Sequence, residues 1–360
     1  MKTLLFTLEY PPFNGGVANY YGNLASHWPL GENFLVLNNN HDELIKKRRF
    51  LAWWPAFLAL KRKVAKNDID YTLVGQILPL GLVAYLLSWL RPFRYAVFLH
   101  GLDFSWSLKT PRKKMATALI LRRADKIIAA NSYVAEQVKK LFPRLANKVM
   151  IVNPGVFGAA PNMVASEIEN LKQKYNLVGK TALLSLGRLV KRKGVDRVIK
   201  ALAEMTPEQV DKFIYLVAGS GPELKYLKSL VPRRLFNKII FLGEITEAEK
   251  WLWLSACDIF IMPSRDIAGD FEGFGIVYLE ANLCGKPVIA GNSGGVRDAV
   301  LDNVTGLIAD SENVQDIKEK ILELAADPLK QKTLGQAGKD RVVAEFSWEK
   351  QAARIAQVLK

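Results

Sequence analysis

Twelve short apolar runs, each followed by a stretch with helical spacing, restrict this chain more than any other feature. In the first half they are Thr3–Leu8, Phe34–Asn38, Tyr71–Gly75, Tyr95–His100, Lys126–Ala130 and Val149–Asn153. In the second half they are Ala182–Gly187, Phe213–Ala218, Ile239–Gly243, Ile259–Pro263, Pro287–Ala290 and Gly306–Ala309. Short runs that are apolar almost throughout suit strands covered on both faces. Their alternation with helices is that of parallel α/β layers. Six and six predict an α/β protein of two Rossmann-like domains facing across a crevice, and 360 residues is a natural length for two. The turn signal Asn153-Pro154-Gly155 sets the break, giving domains at 1–155 and 156–346 with a mixed linker over about 156–166. Two helices, about 329–344 and 347–360, finish the chain, and the last can cross back onto the first domain. A short linker between two such halves predicts closure around a ligand.

Composition narrows the class. The two cysteines, Cys257 and Cys284, lack metal-ligand spacing and argue for a reducing compartment. His27, His41 and His100 are too scattered for a metal cluster. Met1–Leu8 runs straight into Glu9 and a Pro-Pro turn, so it is not read as a signal peptide. Tyr71–Leu90 carries no charge, but Gly75, Gln76, Pro79 and Gly81 break it into a strand and a core helix over Leu80–Leu90 rather than a membrane span. The net charge is +15, of which residues 1–155 hold +13. Such asymmetry points to an anionic partner: lipid headgroups, nucleic acid or an acidic substrate.

Chemistry concentrates where strands lead into helices. In Phe271-Glu272-Gly273-Phe274-Gly275-Ile276, glycines leave the backbone bare where a loop turns into a helix, and the free amides of its first turn can face an anion. Glu272 sits at that opening, and Glu280 is expected about two turns into the helix on the same face. One glutamate at helical spacing is ordinarily a solvated face; two carboxylates beside phosphate-binding amides suit a sugar nucleotide. Gly187-Arg188-Leu189-Val190-Lys191-Arg192-Lys193-Gly194 follows the first strand of the second half, at the sheet edge where ligands bind. Arg188 can chelate two phosphate oxygens and Lys193 can supply a mobile point charge. Gly219, in Ala218-Gly219-Ser220-Gly221, and Ser293-Gly294-Gly295 open two further strand-to-helix turns. In the first half, Asn14-Gly15-Gly16-Val17 is no dinucleotide fingerprint, but Gly15 and Gly16 let backbone approach a diphosphate or sugar closely. His100 ends a strong strand, which leaves it either in the crevice or as a hydrogen-bonded structural histidine.

Together these elements resemble the retaining glycosyltransferases of family 4, of the two-Rossmann-domain GT-B architecture. The resemblance spans the chain: Glu272…Glu280, Ser293-Gly294-Gly295, Thr305-Gly306-Leu307 and Gly187-Arg188…Lys193-Gly194 carry it in the second half. Tyr10-Pro11-Pro12…Gly15-Gly16-Val17 and His100-Gly101-Leu102-Asp103…Trp106-Ser107 look most like the bacterial phosphatidylinositol mannoside mannosyltransferases of the PimB type. The resemblance implies that Arg188 and Lys193 bind and stabilise the donor diphosphate, assisted by the amides around Phe274, Gly275 and Ile276. Glu272 would hold sugar hydroxyls, Glu280 the ribose, and His100 the sugar near its anomeric centre. Gly16 would let the first domain close over the phosphates. Transfer with retention and without a metal or other cofactor is implied, with GDP-mannose as donor; UDP-sugars remain open.

Lys46, Lys47, Arg48 and Arg49 precede Trp53, Trp54 and Phe57, with Lys61-Arg62-Lys63 beyond, and Lys113 and Lys114 lie in a second basic cluster. Basic residues around a Trp-rich apolar stretch suit contact with an anionic membrane surface, although Pro55 would kink a helix there. The expected partners are therefore a nucleotide sugar, a lipid-linked or glycolipid acceptor and the inner face of the cell membrane, with the protein cytoplasmic and peripheral; nucleic acid is not expected. A non-hydrolysing sugar-nucleotide epimerase of the same architecture is the alternative.

Overall fold

The computed structural model describes residues 1–13, 15–29, 33–45, 51–157 and 160–359. Among them, twelve strands form two six-stranded, wholly parallel sheets. Two compact units result: Met1–Gly155 with Trp348–Lys360, and Val156–Ser347.

In the first unit the strands are β1 (Thr3–Phe6), β2 (Phe34–Leu37), β3 (Tyr71–Val74), β4 (Arg94–Leu99), β5 (Lys126–Ala129) and β6 (Val149–Ile151), in the order β2-β1-β3-β4-β5-β6. β1 and β3 are buried at every residue because helices cover both faces, which explains why they read as continuous apolar runs. The uncharged stretch after β3 passes through one wide turn, Ile77–Gly81, before the helix Leu82–Leu90, so that helix starts two residues later than expected. Pro55 kinks nothing: it lies in the first turn of the helix Trp54–Asn67, where no intrahelical N–H is needed. The helix Trp348–Leu359 returns to this unit. Trp348 packs edge-on to Tyr20 at 5.2 Å, and it lies so close to Gly155 that any Cβ there would come within 2.6 Å of the indole.

In the second unit the strands are β7 (Thr181–Leu186), β8 (Phe213–Ala218), β9 (Ile239–Gly243), β10 (Ile259–Met262), β11 (Val288–Gly291) and β12 (Gly306–Ala309), in the order β12-β11-β10-β7-β8-β9. Successive strands run one way from β7 and the other way from β10. The loops leaving β7 and β10 therefore diverge at a topological switch point, where an open α/β sheet receives ligands at its carboxyl edge.

Candidate functional site

The loop after β7 runs from Gly187 through a single 3₁₀ turn, Lys191–Lys193, into the helix Val195–Ala203. Its two glycines are structural necessities. Gly194 sits at φ 75°, and an added Cβ would lie 2.1 Å from the Pro263 carbonyl oxygen. Gly187, at φ 144°, has its carbonyl where a Cβ on Gly219 would fall, also at 2.1 Å. The β7 and β8 turns are thus pressed backbone to backbone, tied by Leu189 N–H to Ser220 O at 2.8 Å. Ser185, Gly187, Arg188, Lys193, Val195 and Met262 line one pocket beside them.

The loop after β10 brings Glu272 to the same edge. Glu272 is buried, and its Oε2 lies 2.6 Å from Lys193 Nζ and 2.7 Å from Arg192 Nη1. Burial pushes this carboxyl up, but the Lys193 and Arg192 charges outweigh it and hold the group below the ordinary carboxylate range. Lys193 is therefore not the mobile charge expected of it. Arg188 is exposed, and no partner for its side chain is found among the described residues. Arg192 also bonds Asp270 at 3.1 Å.

The helix Ile276–Leu283 begins directly after Gly275, whose φ of 84° suits glycine alone; a Cβ there would come within 2.3 Å of the Tyr278 ring. Among the described residues, no acceptor is found for the amides of Phe274, Gly275 and Ile276. The Phe274 side chain turns away into the core. Glu280 lies little more than one turn into this helix, not two, because the helix starts only at Ile276. Its carboxylate is 2.5 Å from Lys250 Nζ, on the helix Glu247–Ala256. Burial raises the Glu280 carboxyl above its ordinary value despite Lys250. Arg265, buried, reaches Asp196 at 3.1 Å, and its N–H donates to Arg192 O at 2.8 Å, so the β7 and β10 loops are held in register.

In the first unit a second cluster forms at the carboxyl ends of β3 and β4. Tyr21 Oη donates to the Gly75 carbonyl at 2.6 Å and lies 2.7 Å from His100 Nε2. The phenol has one proton, so His100 supplies the hydrogen of the second bond; Nε2 carries it and Nδ1 keeps its lone pair. Burial drives the imidazole down to about 4, which makes it neutral at pH 7. Asp103 Oδ1 accepts from the amides of His100 and Gly101, both at 2.9 Å, and burial pushes its carboxyl up to about 6. Gly15 precedes the helix Gly16–Ser26 in fully extended backbone (φ −178°), and Gly16 is that helix's first residue.

The membrane segment divides. Phe57 is core, Trp53 is half-buried and Trp54 is exposed, stacked on Phe57 at 5.2 Å. Phe57 therefore cannot be the lipid-facing residue it was expected to be. Lys113 is half-buried and Lys114 exposed on the helix Pro111–Arg123. Lys46, Lys47, Arg48 and Arg49 lie outside the described residues.

Sequence reasoning passed over Arg192, Lys250, Tyr21, Asp196 and Arg265. Arg192 stood in the phosphate loop beside Lys193 and could have been weighed with it. The others meet the partners named above only through the fold: Lys250 and Glu280 are 30 residues apart in the chain, Tyr21 and His100 79, and Asp196 and Arg265 69.

Among the described residues, no group of three or more His, Cys, Asp or Glu could hold a metal ion, and no helix is long and apolar enough to cross a membrane. Residues 25–157 match the family model Glycosyltransferase Family 4, and residues 167–341 match Glycosyl transferases group 1. The chain is 30% identical to the GDP-mannose-dependent alpha-(1-6)-phosphatidylinositol monomannoside mannosyltransferase of Mycolicibacterium smegmatis, over 99% of this chain and 97% of that protein. It is 29% identical to the GDP-mannose-dependent monoacylated alpha-(1-6)-phosphatidylinositol monomannoside mannosyltransferase of Corynebacterium glutamicum, over 100% and 98%. Its fold matches that of Anabaena Alr3699/HepE, solved in complex with UDP, with a TM-score of 0.81 at 21% identity over 100% of this chain and 99% of that one. The two-sheet fold, the two family models and the full-length relatives agree: the chain belongs to the family 4 glycosyltransferases and is a hexosyltransferase of the GT-B fold.

Proposed function

We propose that this hexosyltransferase moves mannose from GDP-mannose to a lipid-borne acceptor of the phosphatidylinositol mannoside type, with retention of anomeric configuration. The donor and acceptor classes are supported by full-length similarity to relatives named for that reaction. The observation that carries the site is the meeting of Arg192, Lys193 and Glu272 at the β7/β10 switch point, beside the uncommitted Arg188. Arg188 and Lys193 would grip the diphosphate, and the amides of Phe274, Gly275 and Ile276 would add the partial positive charge of a helix start. These groups supply the countercharge in the proposal, so no metal is required. Glu272 would hold sugar hydroxyls, Glu280 the ribose, and His100 the sugar near its anomeric centre.

In the reaction the bond between the anomeric carbon and the phosphate oxygen breaks, while the acceptor oxygen bonds to that carbon on the same face. The acceptor proton passes to the departing phosphate. A lipid-borne acceptor places the enzyme at the inner face of the cell membrane as a peripheral protein. Calorimetry with GDP, UDP and GDP-mannose, with and without EDTA, tests the donor. Selective binding of the guanine nucleotides that survives EDTA is expected. Preference for UDP would overturn the donor, and loss of binding in EDTA would overturn metal independence.

A further inference from the structure

The His100 ring is enclosed by aromatic neighbours. Phe98 stacks on it at 6.1 Å, while Tyr20 and Tyr21 meet it edge-on at 5.1 and 5.3 Å. Asp103 pins its backbone separately, through the amides of His100 and Gly101. Packing of this kind sets where the ring lies but not which nitrogen carries the hydrogen; a hydrogen bond decides that. Here the deciding group is the Tyr21 phenol, buried completely. Its contacts with the Gly75 carbonyl and His100 Nε2, at 2.6 and 2.7 Å, each need a hydrogen. The carbonyl has none to give, so the phenol spends its own on Gly75 and must receive from Nε2. Gly75 is itself wedged in place: a Cβ there would come within 2.7 Å of Thr7 Oγ1 and 3.0 Å of the Tyr21 ring.

His100 is neutral at pH 7, so its one remaining lone pair lies on Nδ1. No hydrogen-bond partner for Nδ1 is found among the described residues. Tyr21 belongs to the helix that Gly16 opens, so one element carries both the glycine assigned to the donor phosphates and the residue that sets the histidine. We propose that Tyr21 is a positioning residue for sugar transfer: it fixes the His100 tautomer so that Nδ1 meets a hydroxyl of the donor sugar as a hydrogen-bond acceptor. The inference rests on the assignment of His100 to the donor sugar made above. In this arrangement His100 gives no proton during transfer, and its site selects a sugar oxygen that carries a hydrogen. An ether oxygen there would set two lone pairs against each other.

The test is nitrogen NMR of the full-length protein, isotope-labelled in its three histidines, with His100→Gln identifying the His100 signals by their loss. Wild type without ligand should show a protonated Nε2 and a bare Nδ1. GDP-mannose should move the Nδ1 signal and GDP alone should not, because only the first brings a sugar hydroxyl. Tyr21→Phe removes the acceptor for the Nε2 hydrogen and should transfer it to Nδ1 in a measurable share of molecules. Its kcat/KM for GDP-mannose should fall at least about tenfold, since a donor then faces a donor. Its affinity for GDP should match wild type, which separates a lost sugar contact from a lost fold. A wild type protonated on Nδ1, or one whose Nδ1 signal ignores bound GDP-mannose, overturns the proposal, and both are read without any Tyr21 variant. So does a Tyr21→Phe variant with the wild-type tautomer and kinetics. A protonated Nε2 that is lost in Tyr21→Phe, in a protein that binds no GDP-mannose, supports the hold of Tyr21 on the ring and removes the donor reading instead.

Discussion

Lys193 Nζ and Arg192 Nη1 converge on the same oxygen of Glu272, at 2.6 and 2.7 Å. The carboxylate is buried and takes both cations, so two of the positive charges at this edge are already committed within the protein. Arg188, on the same loop, is exposed. The two basic residues assigned to one diphosphate thus start from different electrostatic positions.

That difference separates their variants. Arg188→Ala removes an exposed side chain with no partner among the described residues, so its melting temperature should match wild type. Turnover should fall about 10²–10³-fold if Arg188 stabilises the departing diphosphate. Lys193→Ala also strips one partner from a buried carboxylate, and breaking such a pair costs about 3–5 kcal/mol. It should therefore lower both turnover and melting temperature. Thermal unfolding beside steady-state kinetics reads both effects; equal melting losses in the two variants would refute the distinction.

Glu280 gives a pH prediction. Burial raises its carboxyl above the ordinary glutamate value, so it takes up a proton at a higher pH than a free glutamate would. If its carboxylate accepts ribose hydroxyls, nucleotide affinity should be full near neutrality and weaken as pH falls through that raised value. Lys250→Met removes the neighbouring cation, which should move this acid limb to still higher pH. Glu280→Gln should abolish the limb and weaken binding about tenfold or more, as loss of a charged hydrogen-bond acceptor commonly costs about 1.5–3 kcal/mol. Calorimetric titration of GDP between pH 5 and 8 measures all three. A Glu280→Gln variant that keeps the wild-type pH profile would exclude the ribose role.

The fold was legible because each strand is a short apolar run ended by glycine, proline or a polar residue; β8 (Phe213–Ala218), β9 (Ile239–Gly243) and β12 (Gly306–Ala309) fall on their expected limits. The motif loops were legible too, since Gly187, Gly194, Gly219 and Gly275 each occupy a left-handed or crowded backbone position that no other residue fills without strain. Partnership was not legible. Whether Lys193 is free or bound to Glu272 depends on how the loops after β7 and β10 meet, nearly 80 residues apart in sequence. Phe57 was misjudged because helical spacing says which residues share a face, while packing decides which face turns inward.

His100 and Asp103 lean in opposite directions with pH. His100 has a folded value of about 4, against roughly 6.5 when unfolded, so its contribution to stability is full above about 6.5 and is lost as pH falls toward 4. Asp103 has a folded value of about 6, against roughly 3.9 unfolded, so its contribution is full below about 3.9 and is lost as pH rises through 6. Between about pH 4 and 6 the two slopes oppose each other. Asp103→Asn removes one of them, and its melting temperature relative to wild type should climb across that window. A difference that stays flat from pH 4 to 6 would show that Asp103 titrates as an ordinary surface carboxyl.

Gly16 separates a ligand's demand from the fold's. Its backbone is the first turn of the helix Gly16–Ser26, not a left-handed position, and beyond its chain neighbours and the helix's own backbone no heavy atom of the described residues lies within 4 Å of where its Cβ would be. Folding therefore has no use for glycine here, and Gly16→Ala should leave stability unchanged or raise it by up to about 1 kcal/mol, since alanine suits a helix better. If the donor diphosphate approaches this backbone, the added methyl occupies the same space. Displacement of bound reactants by as little as an ångström can cost about 10²-fold in rate. The expected result is a well-folded Gly16→Ala variant whose kcat/KM for the donor is at least about tenfold lower. Wild-type kinetics in that variant would remove Gly16, and with it the helix start it occupies, from the donor site.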